Sequence, residues 1–241
     1  MSGQFNGVQK YVQEEYPFAC YVHCSAHVLN LAISKASVIP PIRHTLAIVK
    51  KLYTFFNTPK SKPVILSCLE AADIAPSVKS LKRLSVTRWT SKYNAVSDFI
   101  SLMPFVHAAL GDIGEWNDGS STDAIIFQRS LDFEFIITIN IIVDMFSYIL
   151  PLCNKLQQIQ IDLALVVDLA NYLVAQLRRI RSREHYFEKL FRTCKKYAND
   201  MDIEFKKNRY KSSQNLQQHL SQRMHREPCT LTAYTRNVFT R

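Results

Sequence analysis

The run "FIITINIIVDMFSYILPL", Phe135 to Leu152, decides the fold class. It is the longest apolar stretch of the chain and carries one charge, Asp144. Strands of globular proteins are usually about 5–6 residues long, so an apolar run of eighteen residues, without glycine and with its one proline next to its end, reads as helix. The acid part-way along, and the lack of any uncharged apolar run near the ~18 residues of a membrane span, make this a buried helix of a soluble protein.

Composition agrees with a helical core. Of 241 residues 47% are hydrophobic and only five are glycine, which argues against a sandwich or barrel with its closely spaced turns. Helical periodicity recurs along the chain. Phe5, Val8, Tyr11 and Val12 share a face before Pro17 stops the segment. Ser25 suits the N-cap of "AHVLNLAISKAS". After Pro40 and Pro41, Ile42, Leu46, Val49, Tyr53 and Phe56 mark a strongly amphipathic helix. A short helix over 64–72, another from about Thr90, and long helices over about 124–150 and 162–199 follow. "FACYVHC" has the aromatic and β-branched content of a short strand near residues 18–23. "GDIGEWNDGSSTD", with three of the five glycines, reads as a loop, and the polar segment from Phe205 as flexible.

Charge is unevenly distributed. The formal net charge is +10. Residues 43–92 hold ten Lys/Arg against two acids, residues 176–241 sixteen against six, and residues 93–175 two against ten. Such blocks either pair with each other in the fold or leave basic surface for an acidic partner such as nucleic acid. Six scattered cysteines without a CxxC pair, and no secretory leader pattern, suit free thiols in a reducing, intracellular compartment. "KKNRYK", Lys206 to Lys211, reads as a solvated basic loop before it reads as an import signal.

Two stretches carry chemistry. In "YVHCSAHVLNL", Cys24 and His27 have CxxH spacing beside His23. Zinc requires about four ligands, and the nearest further Cys/His group, His225 to Cys229, lies far along the chain. The residue types therefore favour a buried cysteine and a histidine packed near a helix N-terminus over a metal or a Cys/His nucleophile. In "TRWTSKYNAV", Arg88 can grip a phosphate and Trp89 can stack on a base. Equally, Trp89 can anchor the helix that follows it.

"VHCSAHVLNLA" and "TRW", in order with "MSGQFNGVQ", "LQQIQIDLALVVDLANYLVAQLRRIR" and "YTRNVF", resemble the transposase domain of the hAT superfamily, particularly its transposon-derived zinc finger MYM-type protein 1-like members. The resemblance spans nearly the whole chain. It implies a ribonuclease-H-like α/β domain interrupted by a large helical insertion, in a family that cuts and joins DNA with divalent metal held by two Asp and one Glu. Carried onto this sequence, it implies that Cys24 packs beside the active-site junction with His27 near DNA. It also implies that Arg88 and Trp89 approach a DNA end and a displaced base. Lys82, Arg83 and Lys92 extend that basic surface.

The family's Asp residues precede the part that matches Met1, and no late acid matches its Glu. The expectation is thus a mainly α chain: a partial ribonuclease-H-like segment at 1–39, a helical insertion at 40–205 and a basic segment at 206–241. It would be catalytically inactive, with no cofactor and no metal of its own. It would bind DNA through its basic patches and could self-associate, with neither a membrane nor a small-molecule ligand. Its location would be nuclear or cytoplasmic, the resemblance favouring the nucleus. The alternatives are a helical protein-interaction module, or part of a longer, active transposase.

Overall fold

The computed structural model describes residues 7–19, 24–72, 77–85, 88–182 and 184–204. Helices dominate: α1 (Val8–Glu15), α2 (Ser25–Ala36), α3 (Pro40–Phe56), α4 (Lys62–Glu70), α5 (Trp89–Gly114), α6 (Gly119–Ser130), α7 (Phe133–Leu156), α8 (Leu163–Arg181) and α9 (Glu184–Asp200).

The apolar run that opened the sequence reading lies within α7, which with α5 makes the centre of the core. Helix α5 buries Val96, Phe99, Leu102, Met103, Val106, Leu110 and Ile113, and α7 meets it with Phe135, Ile136 and Ile139. Phe99 and Phe135 touch edge to face, with centroids 5.9 Å apart. Around this pair pack α2, α3, α8 and α9 on α7, and α4 and α6 on α5. Helices α5 and α7 have the length and hydropathy to cross a membrane, and half of each apolar window is buried within the bundle.

Local chemistry explains most boundaries. Asp118, Asp132 and Asp162 each stand in extended backbone and accept a backbone N–H from the first turn of α6, α7 and α8, at 2.7, 2.9 and 2.9 Å respectively. Such caps each contribute about 1 kcal/mol. Pro40 and Pro41 occupy the first turn of α3, where a missing N–H costs nothing.

Several expectations need correction. The helix expected over 124–150 is two, because Asp132 caps a new start after Leu131. The one expected over 162–199 also divides, with Ser182 ending α8. Cys24, rather than Ser25, is the N-cap residue of α2.

The glycine-rich segment is mostly helix. Only Glu115 to Asp118 separate α5 from α6. A Cβ on Gly111 would lie 3.3 Å from Gln128 Nε2, and one on Gly114 would lie 3.4 Å from Ile125 Cγ1. These glycines serve the close approach of two helices, which a loop-based reading of glycine misses.

Among the described residues there is no strand. At the start of the expected strand, Pro17 and Phe18 form a turn closed by the Ala19 N–H donating to the Tyr16 carbonyl at 2.9 Å, and Phe18 is 98% exposed. The rest of that expectation, residues 20–23, lies outside the described residues, as does the basic segment 206–241. Helix α1 forms as expected but buries none of its residues, leaving Val8, Tyr11 and Val12 exposed. Helix α2, on the N-terminal side of the boundary placed at 39/40, puts Leu29 and Ile33 into the same core as α5 and α7.

Candidate nucleic-acid interface

The "TRW" element begins α5. Arg88 is its N-cap, in extended backbone, with its N–H donating to Ser85 Oγ at 3.1 Å and its side chain exposed. Trp89 turns the other way. Its ring is only 3% exposed and lies parallel to Phe146 of α7, with centroids 4.9 Å apart and planes 9° apart. The indole Nε1–H donates to Ser34 Oγ of α2 at 3.0 Å. Lys92 Nζ sits 3.8 Å from the ring centroid, and burial pushes the Lys92 ammonium below the ordinary lysine range.

One residue thus ties α2, α5 and α7 together. With Phe146 stacked on the ring and Lys92 over it, no face is open to a nucleobase. The base-stacking role that the resemblance implied for Trp89 is therefore not met by this geometry, and Lys92 belongs to the same packed cluster.

The remaining residues of the basic stretch divide in two. Lys82 Nζ lies 2.6 Å from Asp98 Oδ2, on a carboxylate whose side chain is 17% exposed. That oxygen receives no well-directed hydrogen bond, so the contact is a Coulombic pair between a partly buried acid and an exposed lysine. Arg83 is exposed and forms no ion pair among the described residues.

Cys24 and His27 do not form a packed junction. Both are exposed, so the packing expected of Cys24 is absent. His23, Cys229 and His225 lie outside the described residues. Among the described residues no three His, Cys, Asp or Glu side chains converge where a metal would bind.

The fold also decides how far the basic and acidic blocks neutralise each other. Lys60 pairs with Asp118 and lies over the Trp116 ring at 4.8 Å, and Lys82 pairs with Asp98. By contrast Arg43, Lys50, Lys51, Lys62, Lys79, Arg83 and Arg88 are exposed and make no ion pair among the described residues. Internal pairing therefore leaves most of the basic block of residues 43–92 uncompensated. Arg43, Lys50 and Lys51 belong to the basic block of residues 43–92 but lie outside the candidate contact residues Lys82, Arg83, Arg88, Trp89 and Lys92; their helical spacing is the sequence signal that sets them apart.

The chain is similar to the protein described as 52 kDa repressor of the inhibitor of the protein kinase, from Homo sapiens, at 22% identity over 217 residues. The Mus musculus protein of that description is 22% identical over 218 residues. In each case the match covers 85% of this chain and 28% of the relative, so the chain corresponds to little more than a quarter of these proteins' length. No family model matches the chain, and no solved structure matches it significantly.

Proposed function

We propose that this chain is a helical nucleic-acid-binding module derived from a hAT-type transposase, without catalytic chemistry of its own. The observation that carries the reading is the set of seven exposed cations between Arg43 and Arg88 that make no ion pair among the described residues. Exposed cations without internal partners are what counterion-releasing contact with phosphates requires, and such binding is salt-sensitive and largely independent of sequence. The order of the "VHCSAHVLNLA" and "TRW" elements supports descent from the DNA-handling family they resemble. A nuclear location is the compartment consistent with this reading.

The test is a titration of the folded chain against a short fluorescent duplex at low and physiological salt. Binding that weakens steeply with salt supports the proposal. Absence of binding at low salt, from protein with the helical circular dichroism of the bundle, removes it.

A second reading has its own observation. Val8, Tyr11, Val12, Tyr16 and Phe18 are all exposed, on or just after a helix that buries nothing. Exposed apolar side chains gathered in one short segment suit association with another protein surface. Association through it would persist or strengthen as sulfate is raised, whereas phosphate contacts would weaken.

A further inference from the structure

We propose that the DNA contact is made chiefly by the solvent face of α3, with Arg43, Lys50 and Lys51 bridging phosphates on either side of a groove of a B-form duplex. This rests on the nucleic-acid reading above and assigns its surface and its kind of duplex. Helix α3 turns Thr45, Ile48, Val49, Leu52 and Phe56 into the core. Arg43, Ala47, Lys50, Lys51 and Thr54 fall at i, i+4, i+7, i+8 and i+11 on the opposite side, and all five are exposed. A narrow stripe of three cations, separated only by small side chains, therefore runs along the helix.

The adjoining sequence supplies nothing to neutralise it, and the three cations make no ion pair among the described residues. From Tyr16 to Leu69 the sequence has no Asp or Glu, so no carboxylate of α2, α3 or α4 before Glu70 shields the stripe. Nor does helix electrostatics account for these residues. Arg43 stands in the first turn of α3, at the positive end of the dipole, and Lys50 and Lys51 lie in mid-helix, away from the C-terminal turn where the dipole favours cations.

Arg178, Arg179 and Arg181 of α8 differ, because they occupy its last turn, where cations stabilise the helix itself. Cations that the helix itself does not call for, and that make no ion pair among the described residues, point outward to an anion.

Spacing selects the duplex. Seven to eight residues at a rise of ~1.5 Å place Arg43 about 11 Å along the axis from Lys50 and Lys51. That approaches the ~12 Å width of the B-DNA major groove. The deep, narrow major groove of A-form RNA does not present phosphates in this way.

The experiment compares the parent chain with two triple variants that remove equal charge, all checked for unchanged circular dichroism and thermal midpoint. One is Arg43→Gln/Lys50→Gln/Lys51→Gln. The control is Arg179→Gln/Arg192→Gln/Lys196→Gln, on α8 and α9. Loss of three phosphate contacts lowers the slope of log affinity against log salt by about 2.7, so the parent should lose roughly 40-fold more affinity than the α3 variant between 50 and 200 mM salt. The control should keep nearly the parental slope.

Equal effects from both triples would overturn the α3 assignment while leaving the nucleic-acid reading intact. Tighter, equally α3-dependent binding to an RNA duplex of the same length would overturn the choice of B-form DNA. Failure of the parent to bind either duplex at low salt would remove both proposals together.

Discussion

Replacing Trp89 with alanine should destabilise the fold before it touches any DNA contact. The indole is 3% exposed, stacks 4.9 Å from Phe146 and donates to Ser34 at 3.0 Å. Truncating a buried tryptophan costs about 3–5 kcal/mol, which includes roughly 0.5–1.5 kcal/mol from the ring pair. The Ser34 hydrogen bond lies in the lower part of the usual ~0.5–1.5 kcal/mol range because Ser34 is exposed. A total near ~4 kcal/mol is a large part of the ~5–15 kcal/mol that holds a domain together, and lowers the thermal midpoint by on the order of 10 °C.

Urea and thermal unfolding should be followed by far-UV circular dichroism, since Trp89 is one of only two tryptophans and its removal alters fluorescence directly. Trp89→Phe keeps a stacked ring but loses the N–H, and should cost about 1–2 kcal/mol. Combined with Ser34→Ala it should show a coupling of about 0.5–1 kcal/mol. A Trp89→Ala midpoint within about 2 °C of the parent, together with lost DNA affinity, would refute the anchoring role and restore the base-stacking one.

Other contacts give smaller, separable effects. Tyr186→Phe removes the hydroxyl that donates to Asp144, a carboxyl that burial raises above its usual range and Lys189 pulls back; chemical denaturation should show a loss of about 1–2 kcal/mol. Lys82→Met leaves Asp98 without its cation, and because Lys82 is largely exposed the cost should stay near ~1 kcal/mol or below in a urea titration. Burial pushes the Cys153 thiol up to about 11 and Cys194 up to about 12. In the unfolded chain these thiols lose their protons near pH 9, so the native state binds more protons above that pH. Their contribution to stability therefore falls as pH rises past 9, and Cys194→Ala should flatten the decline in thermal midpoint. In native protein, mass spectrometry after iodoacetamide treatment should find exposed Cys24 modified and Cys153 and Cys194 protected until unfolding.

What could be read from the sequence follows how local its cause was. The long apolar run became α7, and the amphipathic stretch after Pro40 became α3, because both depend on periodicity along one segment. The break at Asp132 has a local cause, a capping aspartate just after the polar residues Gln128 to Ser130, but the apolar residues on both sides read as one continuous helix. Gly111 and Gly114 do not mark a loop because their reason lies seventeen and eleven residues away, at Gln128 and Ile125 on the face of α6 that they approach. Trp89 was open to two readings until Ser34 and Phe146, from two other helices, closed around it. Charge behaves similarly. Counting shows how many cations a block contains, but only the fold shows that Lys60, Lys82 and Lys92 meet an acid or a ring while others stay unpaired. The α3 stripe is the exception that sequence could have supplied. Its cations share one helical face, and the acid-free span around them leaves no carboxylate close in sequence to pair with.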